Sequence, residues 1–269
     1  RLMEDEKCTA SMDAMQSVLP SYTRFGMSAL LPHRKLSMSN DYNVLVDGKV
    51  CDNLNSREQV LQSFVPNSRT VQFDDIKTMK IAELKEIFSG QEVVYVYHNQ
   101  IDARGDKLNT ENEVFTACEE AVEEIHTMIK RLTSANNIRF IITADHGFIY
   151  KRDKLVESDK ISGFDRENAF VGRRYVIASV GIHAEGVGTV RLGDILSNED
   201  DRIVSVPIGS DVFKVAGGGQ NFVHGGSTLQ EIVIPVLNVR TNKYHTETKA
   251  ASIALVSSVQ KITNLTANL

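Results

Sequence analysis

Between positions 111 and 133 apolar residues recur at spacings of three and four. Val114, Cys118, Val122, Ile125, Ile129 and Leu132 share one face, and Glu119, Glu120, Glu123 and Glu124 fill the other. That period predicts an amphipathic helix over 111–133. Thr110, with Glu113 three residues on, predicts a capping box at its start, and Asn136–Asn137 break the pattern beyond its end. Two short runs flank the helix, VVYVY at 93–97 and RFIIT at 139–143. Both are nearly all apolar without alternation, the pattern of strands covered on both faces in a parallel sheet. Strand, helix, strand predicts a βαβ unit, its strands parallel and its crossover right-handed. TMKIAELKEIFSG (78–90) predicts a second helix stopped by Gly90, and TRFGMSALL (23–31) a third. After Tyr150 the chain turns polar, then short strands are predicted about Tyr175–Val180, Ile203–Pro207 and Phe213–Ala216. EIVIPVLNV (231–239) predicts a last strand. The class is α/β.

In an open parallel sheet, ligands collect beyond the carboxyl ends of the strands. VVYVY runs into HNQIDARGD, RFIIT into ADHG, and the last strand is preceded by GGGQNFVHGGSTLQE. Each segment sets carboxylate or imidazole groups beside glycine. A pair of divalent cations needs Asp and His donors from several loops, and a mixed oxygen and nitrogen set suits zinc, manganese or a similar metal. Two such ions, about 3.5–4 Å apart, stabilise both ends of an in-line displacement at phosphorus. The candidates are Asp145 and His146, which serve one ion or bridge the pair; Asp102 and Asp106, four apart on the loop that opens the long helix; and His224. Gly147 lets the backbone approach closely.

Taken singly, each has a plainer reading. Asp102 and Asp106 suit the dipole at a helix start, His224 suits a turn, and Asp145 suits a cap beside an exposed His146. Their convergence on one rim of one sheet favours a site. His98 is expected no nearer than behind the ligands, and His33, His126, His183 and His245 lack such company. Thr23, in LPSYTRFGMSALLP (19–32), is the candidate nucleophile, a hydroxyl just ahead of a helix whose N–H groups and positive end face a phosphate. Its plainer reading is an N-cap, and Arg24 reads either as a phosphate contact or as a surface residue.

The 269 residues carry a net charge of −5, which gives no general attraction to nucleic acid or anionic membrane. A phosphate-bearing ligand then needs a local site. KRDK (151–154) and GRRY (172–175) either steer a phosphate backbone or, more simply, belong to solvated loops. Cys8, Cys51 and Cys118 are odd in number with no paired spacing, which argues against a disulfide framework or a Cys-type zinc site and points to the reducing cytoplasm. No run approaches the roughly 18 apolar residues of a membrane span, and the start is unlike a signal peptide. No membrane association is expected.

LPSYTRFGMSALLP, IDARGD, TADHG and FVHGGSTLQEIVIPV, in that order from about Met12 to Val239, together resemble the PglZ family. This family is a branch of the alkaline phosphatase superfamily associated with BREX-type bacteriophage-defence systems. The resemblance implies an alkaline-phosphatase-like, mainly parallel sheet with helices on both faces over residues 1–245, with 246–269 opening a further β-rich region. In that superfamily a Thr or Ser hydroxyl bound to one ion attacks phosphorus, and water then hydrolyses the phospho-enzyme. Carried over, Thr23 is nucleophile and ligand, and Asp145 and His146 match the Asp-His pair of the metal shared with it. Asp102 and Asp106 match the D-x-x-x-H pair of the other metal, which His224 completes. Asp106 stands where superfamily phosphodiesterases usually carry His; the exchange keeps zinc first but strengthens manganese and magnesium. The superfamily sheet begins with a strand ending in a metal-binding Asp, within a segment like ISDALR. Nothing similar precedes Met12, so this chain is expected to lack that first strand and one ligand. The implied function is a metal-dependent phosphohydrolase, of phosphodiesters and potentially nucleic acid, working with other phage-defence proteins. The alternative is a non-catalytic, metal-stabilised scaffold subunit. No C-x-P-x-R motif, which a sulfatase would need, surrounds any cysteine.

Overall fold

The computed structural model describes residues 8–216 and 221–242; His245 and the expected 246–269 region lie outside the described residues. The elements that build the site are, in chain order, β1 (Cys8–Gln16), α1 (Thr23–Ala29), β2 (Ser68–Gln72), α2 (Ile81–Phe88), β3 (Val93–Tyr97), α3 (Gln100–Gly105), α4 (Val114–Ser134), β4 (Arg139–Thr143) and β5 (Val233–Thr241). β5 lies between β1 and β4 and is antiparallel to both. Its ladder with β1 runs from Cys8↔Thr241 to Gln16↔Val233, whereas β4 pairs only from Val236 onward. Pro235, which has no N–H to give, therefore sits where β5 has a single neighbour. No periodicity predicts β1: its CTASMDAMQ segment is mostly exposed, and the ladder to β5 is what makes it a strand. Asp13 lies inside β1 rather than beyond its end.

The βαβ expectation needs correcting. The parallel partner of β3 is β2, in register Ser68↔Val93 to Gln72↔Tyr97, and no ladder joins β3 to β4 among the described residues. An apolar run reports burial, not the identity of the neighbouring strand. The two strands still share one cover. Val94 and Val96 of β3 and Phe140 of β4 pack with Leu84, Phe88, Met128 and Leu132 from α2 and α4. That common roof brings the segments leaving β3 and β4 to one rim. The capping box expected before α4 does not form either, because the Thr110 hydroxyl donates to the Arg104 carbonyl at 2.8 Å and ties the end of α3 to the start of α4 instead.

A second core forms where α1 meets a four-stranded antiparallel sheet of Phe170–Val171, Val176–Ala178, Ile203–Pro207 and Val187–Arg191. Phe25 of α1 is fully buried there with Val46, Ile177, Leu192 and Val204. α1 has seven residues, too short to persist alone, so burial of Phe25, which contributes about 2–3 kcal/mol, helps hold Thr23 in place. Before β5 the chain takes a helical turn, Leu229–Ile232, so the predicted strand over 231–239 begins two residues later, at Val233. Among the described residues no helix is long and apolar enough to cross a membrane.

Candidate metal centre

Thr23 is the first residue of α1. Tyr22 before it is buried and stacks on Tyr175, centroids 4.8 Å apart, which fixes the backbone on which the Thr23 hydroxyl stands. The Thr23 Oγ1 lies 3.1 Å from His146 Nε2 and 3.5 Å from Asp102 Oδ2. His146 follows β4 and is buried. Its Nδ1 lies 2.9 Å from the Gly147 carbonyl; a carbonyl only accepts, so Nδ1 carries hydrogen and Nε2 is left to hold a proton or a metal ion. Asp102 and Asp145 each bring a carboxylate oxygen to 3.5 Å from that Nε2. The His224 ring stacks on His146, centroids 4.0 Å apart, and its Nε2 lies 3.7 Å from Asp106 Oδ1.

All six expected residues thus converge. Donor atoms of Asp102, His146 and His224 lie within 4.8 Å of one another, so Asp102 stands beside Thr23 and His146 as well as His224. Asp102 sits in the first turn of α3 and Asp106 is that helix's C-cap, one turn on; the segment read as a loop is a short helix. The Asp106 side chain is 59% exposed, against 21% for Asp102. Arg24 is exposed. His98 is bound to Glu124 of α4 at 2.8 Å and packs on Phe73, outside this cluster.

The electrostatics suit a cation. Burial pushes the Asp145 carboxyl up. Burial also favours neutral Asp102, but the hydrogen bond and charge of His146 outweigh it and hold Asp102 below the ordinary range. Burial opposes a charge on His146, yet hydrogen bonding to Asp102 and the charges of Asp145 and Asp102 push its pKa up to about 9. A proton on His146 therefore answers the same surplus of carboxylate that a divalent ion would. Asp145 Oδ2 and His224 Nδ1 are buried with no hydrogen-bond partner, and a carboxylate oxygen in that condition is costly. This donor set of oxygen and imidazole nitrogen fits zinc or manganese.

Two glycines allow the approach. A Cβ on Gly26 would stand 2.4 Å from the Asp145 carbonyl, and one on Gly147 would stand 2.1 Å from the Gln230 carbonyl. Gly26→Ala is expected to push α1 off the β4 loop, costing about 1–3 kcal/mol by overpacking. Thermal unfolding checks this, and an unchanged Tm would mean the two segments part freely.

What lies behind the donors is not legible in the sequence. GRRY read most simply as a solvated loop, yet Arg174 is fully buried and paired with fully buried Glu231 at 2.9 Å. Arg173, Tyr22, Tyr175, Phe222, Asp106 and His224 line a cleft of about 300 Å³ beside the cluster. In KRDK, by contrast, Arg152, Asp153 and Lys154 are exposed as expected of a solvated loop. The only signal for Arg174 was its place between aromatic and apolar residues in FVGRRYVIA.

Glu231 also makes the fold sensitive to acid. Burial favours its neutral form, but the hydrogen bonds and charge of Arg174 hold its carboxyl below the ordinary 4.5. Such a group adds stability above its unfolded value, and that stability is lost as pH falls from about 4.5 toward the folded value. Tm is expected to fall below about pH 4.5, and less steeply in Glu231→Gln, which has nothing to titrate there. Calorimetry across that window decides it; parallel slopes would exclude Glu231 as the source.

Residues 1–239 form an alkaline phosphatase-like domain. The chain belongs to the PglZ family: the family's sequence profile, described as the BREX system PglZ alkaline phosphatase-like domain, matches residues 1–239. It is 38% identical over 266 residues to the alkaline phosphatase-like protein PglZ of Bacillus cereus (strain H3081.97), covering 97% of this chain and 31% of that protein. The alkaline phosphatase-like protein BrxZ of Escherichia coli O9:H4 (strain HS) is 32% identical over 241 residues, covering 88% and 28%. The chain therefore spans under a third of the length of these curated relatives. Among solved structures, murine ectonucleotide pyrophosphatase/phosphodiesterase 5 overlaps 63% of this chain and 52% of its own, at 14% identity and a TM-score of 0.45.

Proposed function

We propose that this chain is the catalytic domain of a metal-dependent phosphodiesterase that serves, with other proteins of a BREX system, in bacteriophage defence in the cytoplasm. The observation that carries the reading is the Thr23 hydroxyl 3.1 Å from His146 Nε2, beside an Asp102–His146–His224 donor set and an Asp145 oxygen that has no hydrogen-bond partner. In the proposed reaction the Thr23 oxygen forms a bond to phosphorus as the ester oxygen of the leaving group departs, taking up a proton. Water then cleaves the phosphothreonine and restores the hydroxyl. Without an ion, His146 Nε2 holds the Thr23 hydroxyl in place, flanked by the half-buried Asp102 and Asp145; with an ion bound, the same nitrogen would be a ligand beside the hydroxyl.

Asp145, His146, Asp102, His224 and Asp106 would hold two divalent ions, zinc first and manganese or magnesium as alternatives, with Thr23 on one of them. Such ions lower the pKa of the hydroxyl and offset charge developing on the phosphoryl oxygens. The cleft lined by Arg173, Tyr22, Tyr175 and Phe222 receives the ester arm, and nucleic acid is one diester of this kind.

The test is hydrolysis of an aryl phosphodiester by the full-length protein after chelation and resupply of Zn²⁺, Mn²⁺ or Mg²⁺, alongside Asp145→Ala. Activity restored by metal and lost in the variant supports the reading. Absence of turnover with every metal, while phage defence survives Asp145→Ala, supports the scaffold role instead.

A further inference from the structure

The geometry points to Glu231, clamped by Arg174, as the positioning residue that sets the Thr23 hydroxyl against His146 and His224. This rests on the reading of the site given above, but its contacts lie outside the donor set. Glu231 bonds directly to two of the four segments that carry site residues and reaches a third through Gly226. Its backbone carbonyl accepts the Gly147 N–H at 2.8 Å, one residue from His146. Its side-chain Oε1 accepts the Gly226 N–H at 2.8 Å, two residues from His224. The Gly226 carbonyl accepts the Ser21 hydroxyl at 2.7 Å, and the Ser21 N–H donates to Gly225 at 3.1 Å, two residues from Thr23. The segments at 21–23, 145–147 and 224–226 are thus fastened to one carboxylate residue.

Arg174 keeps that carboxylate ionised and still. Its Nε donates to Oε1 and its Nη2 to Oε2, both at 2.9 Å. Two further guanidinium donors are taken by the Gly209 carbonyl at 2.7 Å and by the Asp211 carbonyl. On the far side, Oε2 accepts the Thr228 hydroxyl at 2.6 Å. Both Glu231 oxygens therefore face donors alone. A carboxamide in either orientation would set an NH₂ against an N–H of Arg174, and the side chain would have to turn away. A bidentate Arg–carboxylate pair is also directional, so it fixes the position of Gly226 as well as its distance.

The experiment compares wild type, Glu231→Gln, Ser21→Ala and Arg202→Gln in the full-length protein. Ser21→Ala removes one strut and leaves the buried pair intact, so it is informative even if Glu231→Gln folds poorly. Arg202 makes a mostly buried ion pair with Asp200 and bonds the Met38 and Ser39 carbonyls, away from the site segments. In Glu231→Gln, kcat on an aryl phosphodiester is expected to fall by about tenfold or more, with KM nearly unchanged, and Zn²⁺ affinity in chelator competition by about tenfold. Ser21→Ala moves both less, in the same direction. Arg202→Gln lowers Tm and moves neither. A crystal structure of Glu231→Gln is expected to have the Thr23 Oγ1–His146 Nε2 separation beyond hydrogen-bonding range. Unchanged metal affinity and unchanged Thr23–His146 geometry in Glu231→Gln overturn the positioning role. If wild type hydrolyses no diester with any metal, the proposed function falls, and geometry with metal affinity still decides the clamp either way.

Discussion

Thr23→Ala is expected to lower aryl phosphodiester hydrolysis by on the order of 10³-fold or more, the scale on which an enzyme loses activity without its nucleophile. The variant should remain folded. Thr23 is only half-buried and begins α1, and its loss removes one hydrogen bond to His146, worth about 1 kcal/mol. Phe25, two residues on and fully buried, still anchors the helix. Metal uptake should persist, since Asp102, His146 and His224 keep their donor atoms. Thr23→Ser retains the hydroxyl and should recover activity to within about a hundredfold, the rest being lost to looser placement without the methyl group. A Thr23→Ala protein that binds metal and turns over at the wild-type rate would remove Thr23 from the chemistry.

The largest effect on stability is expected from Arg174→Met. It leaves the Glu231 carboxylate fully buried without its counter-charge, and breaking such a pair from one side costs about 3–5 kcal/mol. The Gly209 and Asp211 carbonyls lose donors at the same time. Adding Glu231→Gln should restore part of the loss, at least about 1 kcal/mol, because no charge is then stranded. With the guanidinium gone, the amide oxygen can take the Gly226 N–H while its NH₂ meets the Thr228 hydroxyl turned to accept. Hydrogen exchange at the Gly226 and Gly147 amides measures the local opening in the full-length protein. If the double variant exchanges as fast as Arg174→Met, stranded charge is not the cause.

These two residues differ in how far the chain itself announces them. Thr23, Asp102, Asp145, His146 and His224 stand in segments that leave short apolar runs or precede a helix or a strand, and polar groups at such ends need no tertiary knowledge to attract notice. α4 was legible for the same kind of reason, since its period of apolar residues survives in one dimension; Val122, counted on that face, is nevertheless exposed. Arg174 was not legible. Two adjacent arginines are ordinary surface chemistry, and only a carboxylate 57 residues away, fully buried with it, makes one of them interior. Glu231 read as the first residue of a strand for the same reason. β1 was missed because its segment has no apolar run, and its conformation comes from the β5 ladder.

The sequence by itself determined the class of the protein, the family to which its motifs belong and the residue types present for metal and phosphate chemistry. These are properties of local order, carried by spacing and by the polar residues that directly succeed each apolar run. Only the tertiary structure decided that Asp102 stands beside Thr23 and His146, that β3 pairs with β2 rather than β4, and that Arg174 and Glu231 meet as a buried ion pair. Each of those depends on which distant parts of the chain share a desolvated space, and burial there turns a solvated charge into a structural one.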